Sequence, residues 1–93
     1  MTTVRINEFK AAEGAALELH QFLLSLVPYI TGCDGCISCD VLKHSADESV
    51  FVVIEKWQSI EDHQKSIAGF PKDEMQAAMG LFGAPPKGDY YHV

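Results

Sequence analysis

The sequence predicts an α+β domain with a split β-α-β order, in which an antiparallel four-stranded sheet carries its helices on one face. Three observations predict this class. An alternating segment opens the chain, an amphipathic segment with helical spacing follows it, and a dense β-branched run lies near the middle. The length of 93 residues suits a single domain over residues 1–93.

The first half of the chain predicts a strand, a long helix and a second strand. Residues 3–10 alternate in polarity, which is typical of a strand. Apolar side chains then recur at helical spacing over residues 13–30. Because Pro28 disfavours helical geometry in the residue before it, this helix is expected to fray after Val27. A glycine-containing turn leads to a strand over residues 36–44.

The third predicted strand is apolar on both of its faces. Alternation puts one set of side chains on one face, namely Val50, Val52 and Ile54. The other face holds Phe51 and Val53. A strand of this kind is covered on both sides. The helices of one chain can cover one face, so we expect a partner on the other.

A short helix is predicted directly after this strand. Ser59 and Asp62 resemble a capping box, which marks a helix start. The apolar stripe of this helix holds Ile60, His63 and Ile67. The imidazole of His63 is therefore expected to face the sheet.

The last part of the chain predicts another helix and an edge strand. After Pro71 the larger side chains keep helical spacing up to a predicted end at Gly83, and they are Met75, Ala78, Met79 and Phe82. A rigid linker is expected over residues 85–88 and a strand over residues 89–93. Within that strand Tyr90 and Tyr91 point to opposite faces.

Charge and composition exclude several classes of protein. Thirteen acidic residues against seven basic ones leave a formal charge of −6, so we expect neither nucleic-acid binding nor attraction to an anionic membrane. There is no apolar run of the ~20 residues that a transmembrane helix needs, and no signal-peptide pattern at the N-terminus. A cytoplasmic location is therefore expected. A small apolar chain without disulfides commonly completes its core by forming an oligomer.

The three cysteines are spaced like ligands of an iron–sulfur cluster. Cys33, Cys36 and Cys39 form a C-x2-C-x2-C pattern, but a cluster needs a fourth ligand and the chain has no further cysteine. Cys36 and Cys39 fall in a predicted strand, where their odd spacing predicts opposite faces. We therefore expect packed thiols and no metal site.

Three polar or aromatic residues are the main candidates for chemistry. A buried His63 is either a hydrogen-bonded core residue or a general base in a pocket. Trp57 either caps the core or forms the wall of a site for a flat ligand. Asn7 interrupts an apolar strand and needs polar partners if it is buried. Ordinary packing is the simpler interpretation of His20 and Tyr90.

A family resemblance connects these candidates. The apolar third strand ends in Glu55-Lys56-Trp57, and the following helix carries His63 near its first turn. This arrangement closely resembles the antibiotic biosynthesis monooxygenase family. Further similarities are Gly14 before the first helix and Gly35-Cys36 before the second strand. The resemblance implies a ferredoxin-like subunit that pairs with a second copy through its sheet face, forming a homodimeric α+β barrel.

The resemblance also implies an activity without a cofactor. Catalytic members oxygenate quinols, anthrones or related aromatic phenols with dioxygen, and Asn7, Trp57 and His63 match residues that bind or act on the substrate. Further substrate contacts are expected from His20, Leu23, Met79, Phe82 and Tyr90. Haem degradation is disfavoured because residues 64–82 contain no histidine. The alternative is a non-catalytic dimeric barrel that binds a hydrophobic small molecule or acts in a stress response.

Overall fold

A computed structural model describes residues 2–93 and has the predicted α+β, ferredoxin-like architecture. Its elements are, in chain order, β1 (Thr3–Lys10), α1 (Ala16–Thr31), β2 (Cys36–Lys43), β3 (Val50–Trp57), α2 (Ile60–Ala68), α3 (Lys72–Met79) and β4 (Lys87–His92). The strands pair antiparallel in the order β2-β3-β1-β4. None of the helices within residues 2–93 is both long and apolar enough to cross a membrane.

Strand β3 is one of the two inner strands of the sheet, and its two faces have different surroundings. Phe51 and Val53 lie under α1, where they pack with Leu19 and Leu23 in the main core cluster. The helix-facing positions of β3 are all buried. The opposite face of β3 is apolar as well and is only half-buried, through Val50, Val52 and Ile54. The prediction of a strand with two apolar faces is therefore confirmed.

Helix α1 does not fray at its proline. It continues to Thr31, whose hydroxyl donates to the Val27 carbonyl at 2.8 Å. The Gly32 N–H donates to the Pro28 carbonyl at 3.1 Å. The buried side chain of Ile30 anchors the same turn. The expected fraying is wrong because these contacts hold the last turn despite the proline.

A β-bulge in β2 corrects the predicted orientation of two cysteines. Cys36 lies opposite Trp57 and Cys39 opposite Glu55, with a register shift between Cys36 and Ser38. The extra residue restores the same side-chain direction, so both thiols face the helices. Burial and the nearby Glu55 carboxylate raise the pKa of Cys39 to about 12, which keeps this thiol protonated and unreactive.

The start of α2 agrees with the sequence prediction, but the residues on its inward face differ from those predicted. The Ser59 hydroxyl accepts a hydrogen bond from the Asp62 N–H at 3.1 Å, as the capping pattern predicts. His63 faces the sheet, but Ile67 is 58% exposed and Ser66 is buried in its place. Ser66 is tolerated there because its hydroxyl donates to the His63 carbonyl.

Helix α3 is shorter than predicted. It ends at Met79 with Gly80 as its C-cap, whereas the spacing predicted an end at Gly83. Of its side chains only Ala78 is buried. Phe82 leaves the helix and forms a β-bridge with Ala11. The helical spacing of the larger side chains therefore does not mark a core face here.

Strand β4 begins earlier than predicted and completes the sheet edge. It starts at Lys87, so half of the expected linker belongs to the strand. Gly88 lies opposite Asn7 and Tyr90 lies opposite Arg5. Tyr90 and Tyr91 point to opposite faces, as predicted, with Tyr90 on the helix side.

Candidate active site

Strand alternation and α2 bring a group of polar and aromatic side chains together beneath the helices. The register places Arg5 and Asn7 of β1 on the same face as Glu55 and Trp57 of β3. Tyr90 joins them from β4. His63 reaches the group from α2. All three sequence-predicted catalytic candidates, Asn7, Trp57 and His63, therefore lie in one cluster.

The carboxylate of Glu55 is the centre of this cluster. Glu55 is only 5% exposed. One oxygen, Oε2, accepts a hydrogen bond from Asn7 Nδ2 at 3.1 Å. The other, Oε1, accepts one from the indole N–H of Trp57 at 3.0 Å, and Trp57 is fully buried. These donors offset part of the cost of burying a carboxylate.

The imidazole of His63 lies between Glu55 and Tyr90. Its Nδ1 is 2.6 Å from the Tyr90 hydroxyl. Its Nε2 is 3.8 Å from Glu55 Oε1, which is too far for a direct hydrogen bond. The ring meets both Trp57 and Tyr90 edge-on, with centroids 5.6 and 5.3 Å away. A titratable side chain is therefore held in a fixed orientation next to a phenol and a carboxylate.

Burial shifts the pKa values of both groups towards their neutral forms. It raises the pKa of Glu55, although Trp57, Arg5 and Asn7 act to lower it. Burial and the positive charge of Arg5 lower the pKa of His63 to about 4. The imidazole is therefore uncharged at neutral pH, and its contact with Glu55 is not an ion pair. In that state Nδ1 accepts a hydrogen bond from the Tyr90 hydroxyl, and Nε2 carries the ring N–H, which points to Glu55.

Two residues of the cluster were missed by the sequence reasoning. The sequence singles out Glu55 only as part of the Glu-x-Trp motif. Arg5 is only one of the polar positions in the alternating segment over residues 3–10. Their signal lay in the same alternation that gave the other candidates. Glu55 is two residues from Trp57, and Arg5 is two residues from Asn7, so each pair shares a face.

The five residues predicted to contact the substrate lie in different parts of the structure. Tyr90 lies in the cluster, whereas Leu23 is packed in the core. The ring of His20 stacks on Phe51 with centroids 5.4 Å apart. The ring of Phe82 packs on that of Phe9 at 5.6 Å. Met79 is 61% exposed on α3 and does not line either of the cavities described next.

Two cavities lie beside the helices. One, of about 420 Å³, is formed between the end of α1 and α2 and has mostly polar walls. The other, of about 570 Å³, is formed between α1 and α3 and has mostly apolar walls. Neither is lined by Asn7, Trp57 or His63. The cluster itself reaches solvent on its β1–β4 side, where Arg5, Asn7 and Tyr90 are half-buried.

The donor set does not favour a metal. Within residues 2–93 no three histidine, cysteine, aspartate or glutamate side chains group closely enough to hold a metal ion. The cluster instead combines a phenol, an imidazole, a carboxylate and a guanidinium. These groups can bind a polar aromatic molecule and move a proton at its hydroxyl.

The fold and this cluster define a small α+β domain with a group of ionisable and polar side chains beneath its helices. The family model for antibiotic biosynthesis monooxygenase matches residues 2–79, and the chain belongs to that family. The resemblance inferred from the Glu-x-Trp motif is thereby confirmed. No curated protein matches the chain in sequence.

Solved structures share the fold over nearly the whole chain. A protein from Mycobacterium tuberculosis is 21% identical, with a TM-score of 0.85 over 100% of this chain and 95% of its own. A protein from Pseudomonas aeruginosa is also 21% identical, with a TM-score of 0.85 over 99% and 93% of the two chains. SnoaB from Streptomyces nogalater, a cofactor-independent oxygenase, is 15% identical, with a TM-score of 0.83 over 99% and 92%. At these identities the likeness is one of fold.

Proposed function

We propose that this protein is a cofactor-independent monooxygenase that oxidises an aromatic phenol of the quinol or anthrone type with dioxygen. Family membership supports a monooxygenase-type role. A structural neighbour, SnoaB, is a cofactor-independent oxygenase. The observation that carries the proposal is the hydrogen bond from Tyr90 to the neutral imidazole of His63, beside the buried carboxylate of Glu55.

The reaction needs no external reductant. In an anthrone a methylene carbon becomes a carbonyl carbon, and in a quinol a ring C–H becomes a C–OH as the ring is oxidised to the quinone. Each change removes four electrons from the substrate, and dioxygen accepts four. One oxygen atom enters the product, and the other leaves as water with two hydrogens from the substrate. The protein has to bind the ring, remove a proton and stabilise the electron-rich anion.

Proton removal is assigned to the Tyr90–His63 pair. Tyr90 is half-buried, and the substrate hydroxyl would approach its oxygen from the β1–β4 side. When the substrate proton moves to Tyr90, the Tyr90 proton moves to His63 Nδ1, and the Glu55 carboxylate stabilises the resulting imidazolium. Asn7 and Trp57 hold that carboxylate through their hydrogen bonds.

The energetics of this proton transfer require a positive charge close to the substrate hydroxyl. A phenol has a pKa near ~10, whereas that of His63 is about 4. The difference of about 6 pKa units corresponds to about 8 kcal/mol against transfer. Since the base alone is too weak, a cation near the developing anion is needed to lower the pKa of the bound phenol.

The activity is tested by oxygen consumption with a panel of reduced quinols and anthrones. We expect turnover above autoxidation for at least one substrate, with a loss of about 100-fold in Tyr90→Phe and His63→Gln, the range of general acid–base catalysis. Tyr91→Phe is the matched control, because Tyr91 lies on the opposite face of the same strand and should leave the rate unchanged. A wild-type rate equal to autoxidation with every substrate would refute the proposal.

We also propose that the open face of the sheet binds a second copy of this chain. The apolar side chains there are half-buried to exposed in a single subunit and come from three strands, namely Val4, Ile6, Leu42, Val50, Val52 and Ile54. A patch of this kind is typical of an interface. Sedimentation should give a species of about twice 10.2 kDa, and Val52→Lys should give the monomer. A wild-type monomer at micromolar concentration would contradict the interface.

The apolar cavity between α1 and α3 favours the alternative function, a non-catalytic barrel that binds a hydrophobic small molecule. Its volume of about 570 Å³ lies in the range of small-molecule sites. Phe22, Leu26 and Leu81 are among its walls. If the protein binds apolar aromatics but consumes no oxygen, and Leu26→Arg abolishes that binding, the binding function replaces the enzymatic one.

A further inference from the structure

Arg5, the only arginine of the chain, is held in a fixed position at the solvent-accessible side of the cluster. Its Nε donates to Asn7 Oδ1 at 3.0 Å. Its Cζ lies 4.6 Å from the centre of the Tyr90 ring, a cation–π contact. The two contacts fix both the plane and the position of the Arg5 guanidinium.

The outer nitrogens of this guanidinium are free to bind a ligand. Among residues 2–93, no acceptor is found for Arg5 Nη1 or Nη2, and the side chain forms no ion pair. No buried side-chain nitrogen or oxygen in the described part of the chain lacks a partner. The two Nη groups therefore reach the solvent-accessible surface of the site, and they offer the paired donors that suit an oxyanion.

The neighbouring strand provides the space for this arrangement. Gly88 lies opposite Asn7 in β4. A Cβ at position 88 would overlap Arg5 Nη2 and Asn7 Oδ1. A side chain at position 88 would therefore displace the guanidinium and the amide from these positions.

Asn7 separates the guanidinium from the buried carboxylate. Its oxygen accepts from Arg5 and its nitrogen donates to Glu55. Glu55 already has a donor on each of its oxygens. The guanidinium of Arg5 therefore forms no direct ion pair with Glu55, although its charge acts to lower the pKa of that carboxylate.

We propose that the Nη groups of Arg5 bind the hydroxyl oxygen of the aromatic substrate and stabilise the phenolate that forms when this hydroxyl loses its proton. This inference rests on the proposed function, and it names the residue that stabilises the anion. In a chain with a formal charge of −6, an anion has few other places to bind. An opposite charge at contact distance lowers the pKa of an ionisable group by about 1–3 units. That effect supplies up to about half of the difference of about 6 pKa units between the phenol and His63.

The test uses 2-hydroxyanthraquinone, which is already oxidised and whose phenol and phenolate absorb at different wavelengths. Its pKa is measured free and bound, by absorbance titration under nitrogen. We expect wild-type protein to lower the pKa of the bound dye by about 1–3 units. Arg5→Gln should bind the dye with no lowering, and Arg5→Lys should retain part of it, because it keeps the charge but loses the paired donors.

A matched pair of glycine variants controls for the fold. Gly88→Ala displaces the guanidinium and should reduce the shift, whereas Gly80→Ala should preserve it, since nothing lies within 4 Å of a Cβ there. If Arg5→Gln does not fold, as judged by circular dichroism, Arg5→Lys and Gly88→Ala decide the outcome. Equal dye pKa values in wild type and in the Arg5 or Gly88 variants overturn the inference, as does the absence of saturable binding to wild type.

The two proposals fail in different ways. The dye does not react with dioxygen, so its titration is independent of turnover. An Arg5-dependent pKa shift in a protein that consumes no oxygen upholds phenolate binding and refutes the monooxygenase. Oxygen consumption with no Arg5-dependent shift refutes only the phenolate inference.

Discussion

The lowered pKa of His63 predicts an acid-sensitive fold that a single substitution should make less sensitive. The folded protein holds this imidazole neutral, with a pKa of about 4 against an ordinary value of 6.5. Between these two values the unfolded chain binds a proton that the folded protein does not. Stability from this residue is therefore complete above about pH 6.5 and is lost as the pH falls towards 4.

The size of the effect follows from the two pKa values. At pH 5 nearly all unfolded chains carry the proton on His63, whereas about nine in ten folded molecules do not. The free energy of unfolding from this group should therefore fall by about 2 kcal/mol between pH 7 and pH 5. Glu55 acts in the opposite direction because its pKa is raised, so the wild-type curve alone would mix the two effects.

Urea unfolding of wild type and His63→Gln at pH 7 and pH 5 separates the contributions. Glu55 is present in both proteins, and His20, His44 and His92 are too, so the difference in pH dependence reports His63. Protein concentration is kept constant, since dimer formation would shift the apparent stability. His63→Gln should lose about 2 kcal/mol less than wild type between the two pH values. Equal losses within about 0.5 kcal/mol would refute a buried, neutral imidazole.

Two further predictions concern stability. Trp57→Phe removes the indole donor to a buried carboxylate and leaves empty space, so the free energy of unfolding should fall by about 2–4 kcal/mol; an unchanged urea midpoint would contradict the hydrogen bond. Gly35→Ala should destabilise by about 1–3 kcal/mol, because Gly35 has φ +83° and a Cβ there would overlap the Asp62 carboxylate. Gly80→Ala is the control, and equal melting temperatures of the two glycine variants would contradict this reasoning.

The sheet could be predicted from the sequence because its signals are local. Alternation over residues 3–10 and the β-branched run over 50–54 each define a strand and its two faces. The predictions that are wrong concern segments in which tertiary contacts outweigh the local sequence pattern. Ile30 keeps α1 intact beyond Pro28, and the bridge of Phe82 with Ala11 takes the chain out of α3 sooner than the spacing indicates.

The candidate site was predictable in part for the same reason. Trp57 and His63 flank a strand end and a helix start, so a single connection brings them together. The register of β4 against β1 depends on pairing between residues about 80–90 positions apart, which no local pattern reports. The opposite orientation of Tyr90 and Tyr91 could therefore be predicted, but the contact between Tyr90 and His63 could not. The bulge that turns Cys36 and Cys39 to one face has no local signal either, because one additional residue in a strand looks like any other.

The role of Asn7 follows from what its two neighbours can do. An arginine only donates hydrogen bonds and a carboxylate only accepts them, so an amide between them has one possible orientation, with its oxygen towards Arg5 and its nitrogen towards Glu55. A direct pair of Arg5 and Glu55 would neutralise both charges and leave nothing to bind an anion. In the proposed reaction, this separation keeps the carboxylate beside the imidazole that would receive the proton and the guanidinium near the substrate oxygen that would lose it. An aspartate at this position could still accept from Arg5 but would repel Glu55, which is why the neutral amide suits both halves of the site.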